Sequence, residues 1–287
     1  MSRSLEESYR LSTKVARRTG KNFYYSFIVM PRPKREAMCA IYAFMRRSDD
    51  IADGAANPAL ASEGLRAWRT EVGAALNGQN SADPILPALV DTVRRYRIEP
   101  RHFQELLDGT EMDQTKTRYE TFPELYKYCY HVASVVGLIV LPVLGYKDET
   151  AKIPAEACGI AFQLTNIIRD VKEDAQLGRI YLPREDMKRF GVEEADIMNS
   201  RATPQFVQLM QFEAGRAREF YAKALPLVQM IEPDSRGTLA VMMAIYGGIL
   251  DKIERSKFAV FEKRIQLTTA EKLWIVATKW RQRCTQS

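Results

Sequence analysis

From Leu5 to Arg283 the apolar residues recur at three- and four-residue spacing, and the period-two alternation of a half-buried strand is nearly absent. A chain patterned this way can bury its apolar stripes only by packing helix on helix. The pattern is strongest over Leu5–Arg18, Pro33–Ala52, Ala61–Leu76, Pro84–Tyr96, His102–Met112, Thr121–Leu144, Ala151–Ala175, Pro204–Ile231 and Pro233–Arg255, with a last segment at Thr269–Arg283. Proline in the first turn or threonine at the cap marks several starts, as at Thr121-Phe-Pro-Glu124 and Thr269-Ala-Glu-Lys272. The expectation is an all-α bundle of about ten helices. Two stretches resist it. Lys21–Pro33 carries aromatics on every side, which suggests a short helix or turn buried all round, and Leu177–Asp186 breaks helicity with Arg179 just inside it.

No Pro/Gly/Ser-rich linker, charge block or composition shift divides the 287 residues, so 1–287 reads as one domain. The 46% hydrophobic and 27% charged composition excludes disordered and fibrous classes. The longest apolar run, Val132–Leu144, is shorter than the roughly 20 residues of a bilayer span, so no transmembrane anchor is expected. The N-terminus lacks a hydrophobic signal core. Cys39, Cys129, Cys158 and Cys284 share no CxxC spacing, and three of them sit in apolar helical patterns; both features point to a reducing, cytoplasmic setting. A net charge of +6 suits an anionic ligand, a membrane surface or a nucleic acid equally well. The basic runs at Arg94–Phe103 and Lys279–Arg283 read as solvated helix faces, and no nucleic-acid partner is expected. A di-iron bundle would need two Glu-x-x-His motifs, but His102 and His131 are the chain's histidines and Glu99-Pro-Arg-His102 supplies one motif.

The polar residues inside the apolar pattern are more informative. In QLTNIIRDVKED, the positions Gln163, Asn166, Asp170 and Asp174 fall within about a quarter of a helix circumference, apart from the stripe of Ile160, Leu164, Ile167, Ile168 and Val171. Upstream, YAFMRRSDDIAD places Tyr42, Arg46, Asp49 and Asp53 on one stripe, with the two aspartates about 6 Å apart at Cβ. Asp50 lies at the edge of that stripe. Either DxxxD alone is satisfied by surface ion pairing, for instance Asp49 with Arg46. Two of them on different helices can instead bracket a cavity. Carboxylates so placed repel one another unless cations intervene, and hard oxygen donors with open water positions suit magnesium, which completes its shell with phosphate oxygens. Arg46, Arg169 and Arg179 are close enough in sequence to grip the same phosphates.

These motifs resemble those of the squalene and phytoene synthases, which join two prenyl diphosphates head to head. The likeness is carried by YAFMRRSDDIAD, by QLTNIIRDVKED followed by GRIYLP, by YCYHVASVVG and by IYGGILDKIERSKFAVFEKRIQL, and it spans Tyr9 to Leu273. It implies the isoprenoid synthase fold, an all-α bundle around a central cavity. It further implies that Asp49, Asp53, Asp170 and Asp174, with Asn166 as a further ligand or a cation stabiliser, hold magnesium, with manganese as a substitute. By the same resemblance Gln163 lines the wall, Arg46, Arg169, Arg179 and Arg264 bind phosphate with Tyr181 beside them, and Tyr42, Tyr128 and Tyr246 point at the reacting groups. Departures occur at Lys21-Asn22-Phe23, where serines are common, and at Ala133-Ser134-Val135-Val136-Gly137, where Ala-Gly is common.

The chemistry implied is ionisation of an allylic diphosphate, capture of the carbocation in a dry pocket and loss of a proton to close a cyclopropane. Apolar service falls to Phe23, Phe27, Ile41, Met45, Val132, Val135, Val136, Leu138 and Leu164, each of which also suits ordinary core packing. The base is Tyr128 or the released diphosphate. Within the family the motifs look most like bacterial enzymes that make presqualene diphosphate from two farnesyl diphosphates on the hopanoid route. Phytoene synthesis from two geranylgeranyl diphosphates is the alternative, and completion to dehydrosqualene or squalene is a third. Full reduction to squalene would need NADPH, for which no GxGxxG after a strand is present. Greasy products make a peripheral contact on the inner face of the membrane, and downstream isoprenoid enzymes as partners, compatible with this reading.

Overall fold

Ser4, Asn57, Thr121 and Thr203 each accept, with a side-chain oxygen, the backbone N–H three residues on, and so start helices where the sequence places a cap. The structure is a computed structural model that describes residues 4–20, 24 and 26–284. Its helices are α1 (Leu5–Thr19), α2 (Arg32–Asp53), α3 (Pro58–Leu76), α4 (Leu86–Tyr96), α5 (Arg101–Thr115), α6 (Phe122–Cys129), α7 (Val135–Leu144), α8 (Lys152–Arg169), α9 (Val171–Gln176), α10 (Arg184–Phe190), α11 (Glu194–Met198), α12 (Pro204–Ala224), α13 (Leu227–Met230), α14 (Pro233–Arg255) and α15 (Thr269–Cys284). A π-helical turn, Tyr130–Ser134, joins α6 to α7. Among the described residues the extended pairing is limited to one isolated bridge, Tyr146 with Ile231.

The expected segments are helical, with four corrections. The segment from Pro84 becomes regular only at Leu86. The segment Ala151–Ala175 breaks at Asp170, whose φ of −102° and ψ of 16° leave the α region. The segment Pro204–Ile231 breaks ahead of Pro226, whose ring cannot continue the ladder. Short helices α10 and α11 form where no periodicity was evident. In Lys21–Pro33, Lys21, Asn22, Phe23 and Tyr25 lie outside the described residues; Phe27 and Met30 are buried but Ile28 is 47% exposed, so the stretch is not buried on every side.

Helix α8 runs through the middle, against α12 on one side and the π turn, α7 and α14 on others. Small residues permit the close approach. A Cβ on Gly159 would lie 2.5 Å from Ser134 Cα, and one on Gly137 would lie 3.1 Å from the Ala155 carbonyl oxygen. Helix α2 is held from its other face: Phe44 lies 6.0 Å from Trp68 and 5.2 Å from Phe103, ring to ring. Aromatic pairs of this kind add about 0.5–1.5 kcal/mol beyond burial. Trp68 Nε1 donates to buried Ser48 Oγ at 3.0 Å, and Ser48 donates to the Phe44 carbonyl. This lock fixes the rotation of α2 one residue before Asp49.

The run Phe122–Leu144 is 23 residues and apolar enough, by length and composition, to cross a membrane. It exceeds the length read from the sequence because α6 and α7 are continuous through the π turn. Its most apolar stretch is just over half buried within the protein, and it packs on α2, α5 and α8, as a core helix does.

Candidate active site

A cavity of about 390 Å³ lies between α2, α5, the α6–α7 run, α8 and α14. Lys34 at the start of α2 donates to the Leu144 carbonyl at the end of α7, so the two helices run antiparallel. One end of the cavity therefore gathers Asp49, Asp113, Tyr128, Gln163 and Asn166, and the other is closed by Leu141, Leu144, Leu227 and Leu239. The wall between is Met45, Val132, Val136, Phe162, Met242 and their neighbours. Phe162 stacks on Tyr246 at 4.3 Å, and burial pushes the Tyr246 phenol up to about 12.

The polar end is crowded with carboxylates. Burial and then Asp53 push Asp49 up to about 7, against the pull of Arg46, with Asp113 adding to the rise. Burial, Asp170 and Asp113 push Asp174 up to about 7. Asp113 is itself raised by burial, although Tyr181 and Tyr128 hydrogen bonds oppose the shift. Asp170 is the exception. Burial raises it, but Arg169 and Arg264 outweigh burial and hold it below the usual range. Arg264 grips both Asp170 oxygens, at 2.8 and 3.0 Å, and Arg169 Nε donates to it at 2.7 Å.

Two polar atoms on the cavity wall are buried without a hydrogen-bond partner: Arg46 Nε and Asn166 Oδ1. Asn166 Nδ2 donates to Gln163 Oε1 at 3.3 Å, and its side chain also hydrogen-bonds Tyr246. An orphaned donor and an orphaned acceptor cost free energy that a polar ligand would recover.

Of the residues picked from the sequence, Tyr42, Met45, Arg46, Asp49, Tyr128, Val132, Val136, Gln163, Asn166 and Tyr246 line the cavity. Asp53 is exposed one turn beyond Asp49. Asp170 and Asp174 follow the irregular turn at Asp170, with Asp170 N–H still on the Asn166 carbonyl and Asp174 N–H on the Asp170 carbonyl, and neither lines the cavity; Asp174 meets Arg179 and Tyr181 in a small separate recess. Arg169 and Arg264 lie on Asp170 rather than on the cavity, and Arg46 pairs with Asp50 at 2.5 Å rather than with Asp49. Phe27, Ile41, Val135, Leu138 and Leu164 belong to the core and not to the cavity wall. For Val135 the reason is 100° of helix rotation: its neighbour Val136 takes the cavity side. Phe23 lies outside the described residues.

Asp113 was missed. Its charge reaches Asp49, Asp53 and Asp174. Its signal in the sequence was the spacing Leu106, Thr110, Asp113, which is one face of a helix. Tyr181 Oη donates to Asp113 at 2.7 Å and stacks on Tyr128 at 5.1 Å, so the tyrosine of the GRIYLP loop backs the cavity instead of lining it. That loop is seated by Ile180 N–H on the Thr117 carbonyl and Arg184 N–H on the Tyr119 carbonyl.

Among the described residues no three His, Cys, Asp or Glu side chains converge closely enough to hold a metal ion by themselves. The donor set still fits magnesium: it is all oxygen, and its raised carboxylates would be relieved by a divalent cation whose remaining positions go to phosphate and water.

The family description "Squalene/phytoene synthase" matches residues 16–271. The phytoene synthase of Arthrospira platensis is 37% identical over 280 residues, which cover 93% of this chain and 90% of that one. The phytoene synthase of Mycobacterium tuberculosis is 37% identical over 276 residues, 95% of this chain and 90% of that one. A crystal structure of a dehydrosqualene synthase in complex with ligand has a TM-score of 0.90 at 31% identity and covers 98% of both chains. The squalene synthase HpnC of Alicyclobacillus acidocaldarius has a TM-score of 0.83 at 28% identity, covering 88% of this chain and 95% of that one.

Proposed function

Because the chain belongs to the squalene/phytoene synthase family, we propose that it condenses two prenyl diphosphates head to head with magnesium. The observation that carries the reading is a carboxylate-rich mouth over an apolar cavity, with Arg46 Nε and Asn166 Oδ1 unpaired on its wall. Asp49 and Asp53 on one side and Asp170 and Asp174 on the other would hold the metal, with Asp113 charged between them. Magnesium, when bound, draws charge off the departing diphosphate so that the allylic C–O bond ionises. Arg46, Arg179 and Arg264 neutralise the phosphates from the protein side. Asn166 Oδ1 offers a lone pair to the positive carbon, and the walls of Val132, Val136, Phe162 and Met242 exclude water until the second double bond attacks.

Tyr128 is kept protonated, since burial, with Asp113 and Tyr181 beside it, pushes its phenol well above the usual range. It serves as a base only by relay: the substrate C–H proton goes to Tyr128 Oη as the phenol proton passes to the Asp113 carboxylate.

For the substrate, similarity to phytoene synthases supports two geranylgeranyl diphosphates better than the farnesyl pair expected from the motifs. The farnesyl reading keeps the support of structural likeness to a dehydrosqualene synthase and to the squalene synthase HpnC. Release of a long product makes a peripheral membrane contact and onward isoprenoid enzymes part of the same proposal. The test is incubation of the purified protein and magnesium with each substrate, with and without NADPH, and mass spectrometry before and after phosphatase. Phytoene from the twenty-carbon substrate supports the leading reading. A thirty-carbon alcohol seen only after phosphatase, or a thirty-carbon hydrocarbon made directly, moves it to farnesyl diphosphate. No condensation product from either substrate refutes it.

A further inference from the structure

A second cleft lies apart from the cavity. A concave recess of about 960 Å³ lies between α1, α2 and α4, and no residue lines both. Six basic side chains converge on it, Arg10, Lys14, Arg17, Arg18, Arg32 and Arg95, against two acids, Glu6 and Glu36. That surplus of four charges compares with a net charge of +6 for the whole chain. Half of the cations are accounted for. Arg32 pairs with Glu36 at 2.8 Å, Arg95 with Asp91 at 3.1 Å, and Arg17 donates to Tyr24 Oη at 2.5 Å. Arg10, Lys14 and Arg18 form no ion pair among the described residues, and all three are exposed. They stand at four-residue spacing along one stripe of α1, where like charges destabilise a helix. Arg18 in the last turn suits the helix dipole, but helix formation does not call for Arg10 and Lys14 beside it. The floor beneath is already satisfied, with Tyr9 Oη bonded to Asp91 and Thr92 and Thr13 Oγ1 donating to the Tyr9 carbonyl.

We propose that this cleft is a second anion site that binds a diphosphate group directly through Arg10, Lys14 and Arg18, without a metal ion. Guanidinium and ammonium groups match phosphate oxygens in charge and donor geometry. The recess is concave, so it suits a discrete polyanion rather than a flat bilayer. Glu36 is held by Arg32, and among the described residues that line the cleft no carboxylate cluster calls for magnesium. This sets it apart from the aspartate-rimmed cavity, where phosphate is repelled until a divalent cation is present. The ligand is either inorganic diphosphate or the diphosphate head of a prenyl ester. The choice of diphosphate rests on the proposed reaction, which releases it, whereas the metal-free binding does not.

The test is calorimetric titration of the full chain with inorganic diphosphate in EDTA, alongside the triple variant R10Q/K14Q/R18Q and the cavity variant R46Q. The expected result is one equivalent bound by the wild type, affinity lowered at least 10-fold in the triple variant, and no change in the cavity variant. A single K14Q variant should fall between, and the triple variant should keep its melting temperature and its magnesium-dependent turnover. Dimethylallyl diphosphate then sorts the source: displacement of bound diphosphate assigns the ester head, and failure to displace assigns free diphosphate. No binding in EDTA, or binding that the triple variant leaves intact, overturns the site. So does sedimentation with phosphatidylglycerol vesicles that depends on these residues while diphosphate gives no heat. A protein that binds diphosphate in EDTA but makes no condensation product would refute the reaction and leave the cleft standing.

Discussion

Replacing Gly159 by alanine adds one methyl group where α8 crosses the π turn. Its Cβ would stand 2.5 Å from Ser134 Cα, 2.6 Å from Ser134 N and 2.7 Å from the Ala133 carbonyl carbon. Non-bonded carbons prefer about 3.5–4.0 Å, so the two elements must part by about 1 Å. All three obstructing atoms are backbone and cannot rotate away. Overpacking of this kind costs about 1–3 kcal/mol, and this site belongs near the upper end. Alanine gains about 1 kcal/mol over glycine in a helix interior. The net expectation is a loss of about 2 kcal/mol, which for a domain of this size lowers the melting temperature by about 3 °C. Activity should suffer more than stability. The displaced backbone is flanked by Tyr128, Val132, Ala133 and Val136 on the cavity wall, and a misplacement of about 1 Å can cost on the order of 100-fold in rate. Gly215→Ala on α12 is the matched control, because its Cβ meets nothing within 4 Å and only the propensity gain remains. Thermal unfolding and kcat/KM on the same samples decide the matter. If Gly159→Ala melts at or above the wild type with full turnover, the close crossing does not shape the cavity.

Three further outcomes are expected. In chelator, stability should fall as pH rises from about 4 to 8: Asp49 and Asp174 titrate near 7 in the folded state but near 3.9 when unfolded, so the folded chain holds protons that the unfolded chain has lost. Added magnesium should flatten the fall, and urea unfolding at several pH values would expose a slope of the wrong sign. Arg216 lies 2.9 Å from Asp186 and 2.7 Å from Glu213, whose side chains are 7% and 2% exposed, and 4.1 Å over the Phe122 ring. Arg216→Met should therefore cost about 3–5 kcal/mol by leaving two buried carboxylates unpaired, and Glu213→Gln in the same chain should recover part of it; a loss below about 1 kcal/mol in urea unfolding would count against the pairing. Asp113→Asn keeps an acceptor for Tyr181 but removes the charge shared with Asp49 and Asp174, so activity or magnesium affinity should drop about 10–100-fold, seen as a shifted magnesium titration. An unshifted curve would make Asp113 a packing residue.

What could be read from the chain in one dimension was whatever a single helix face displays. The period of three to four residues, the caps at Thr121 and Thr203 and the polar stripe of Gln163 and Asn166 all follow from 100° of rotation per residue, and the helices and those side chains stand where that rotation puts them. The same rule fails where the helix does. Asp170 interrupts the regular geometry at the end of α8 and its arginine neighbours close on it, so the second DxxxD does not line the cavity beside Gln163 and Asn166. It also cannot tell one side of a buried helix from the other, which is why Val136 meets the cavity and Val135 the core.

The sequence by itself determined the helical class, the stripe of the first acidic motif and the apolar character of the α6–α7 run, because these are properties of one element and its own periodicity. The tertiary structure alone decided that Asp113 joins the two acidic motifs, that Tyr181 supports Tyr128 from behind and that six basic groups from three helices share one cleft. The acidic motifs, Asp113, Tyr128 and Tyr181 are far apart along the chain, and the crossing of helices at Gly159 and Gly137 and the seating of the GRIYLP loop bring them within reach of one another, whereas the basic groups meet where α1 packs on α2 and α4.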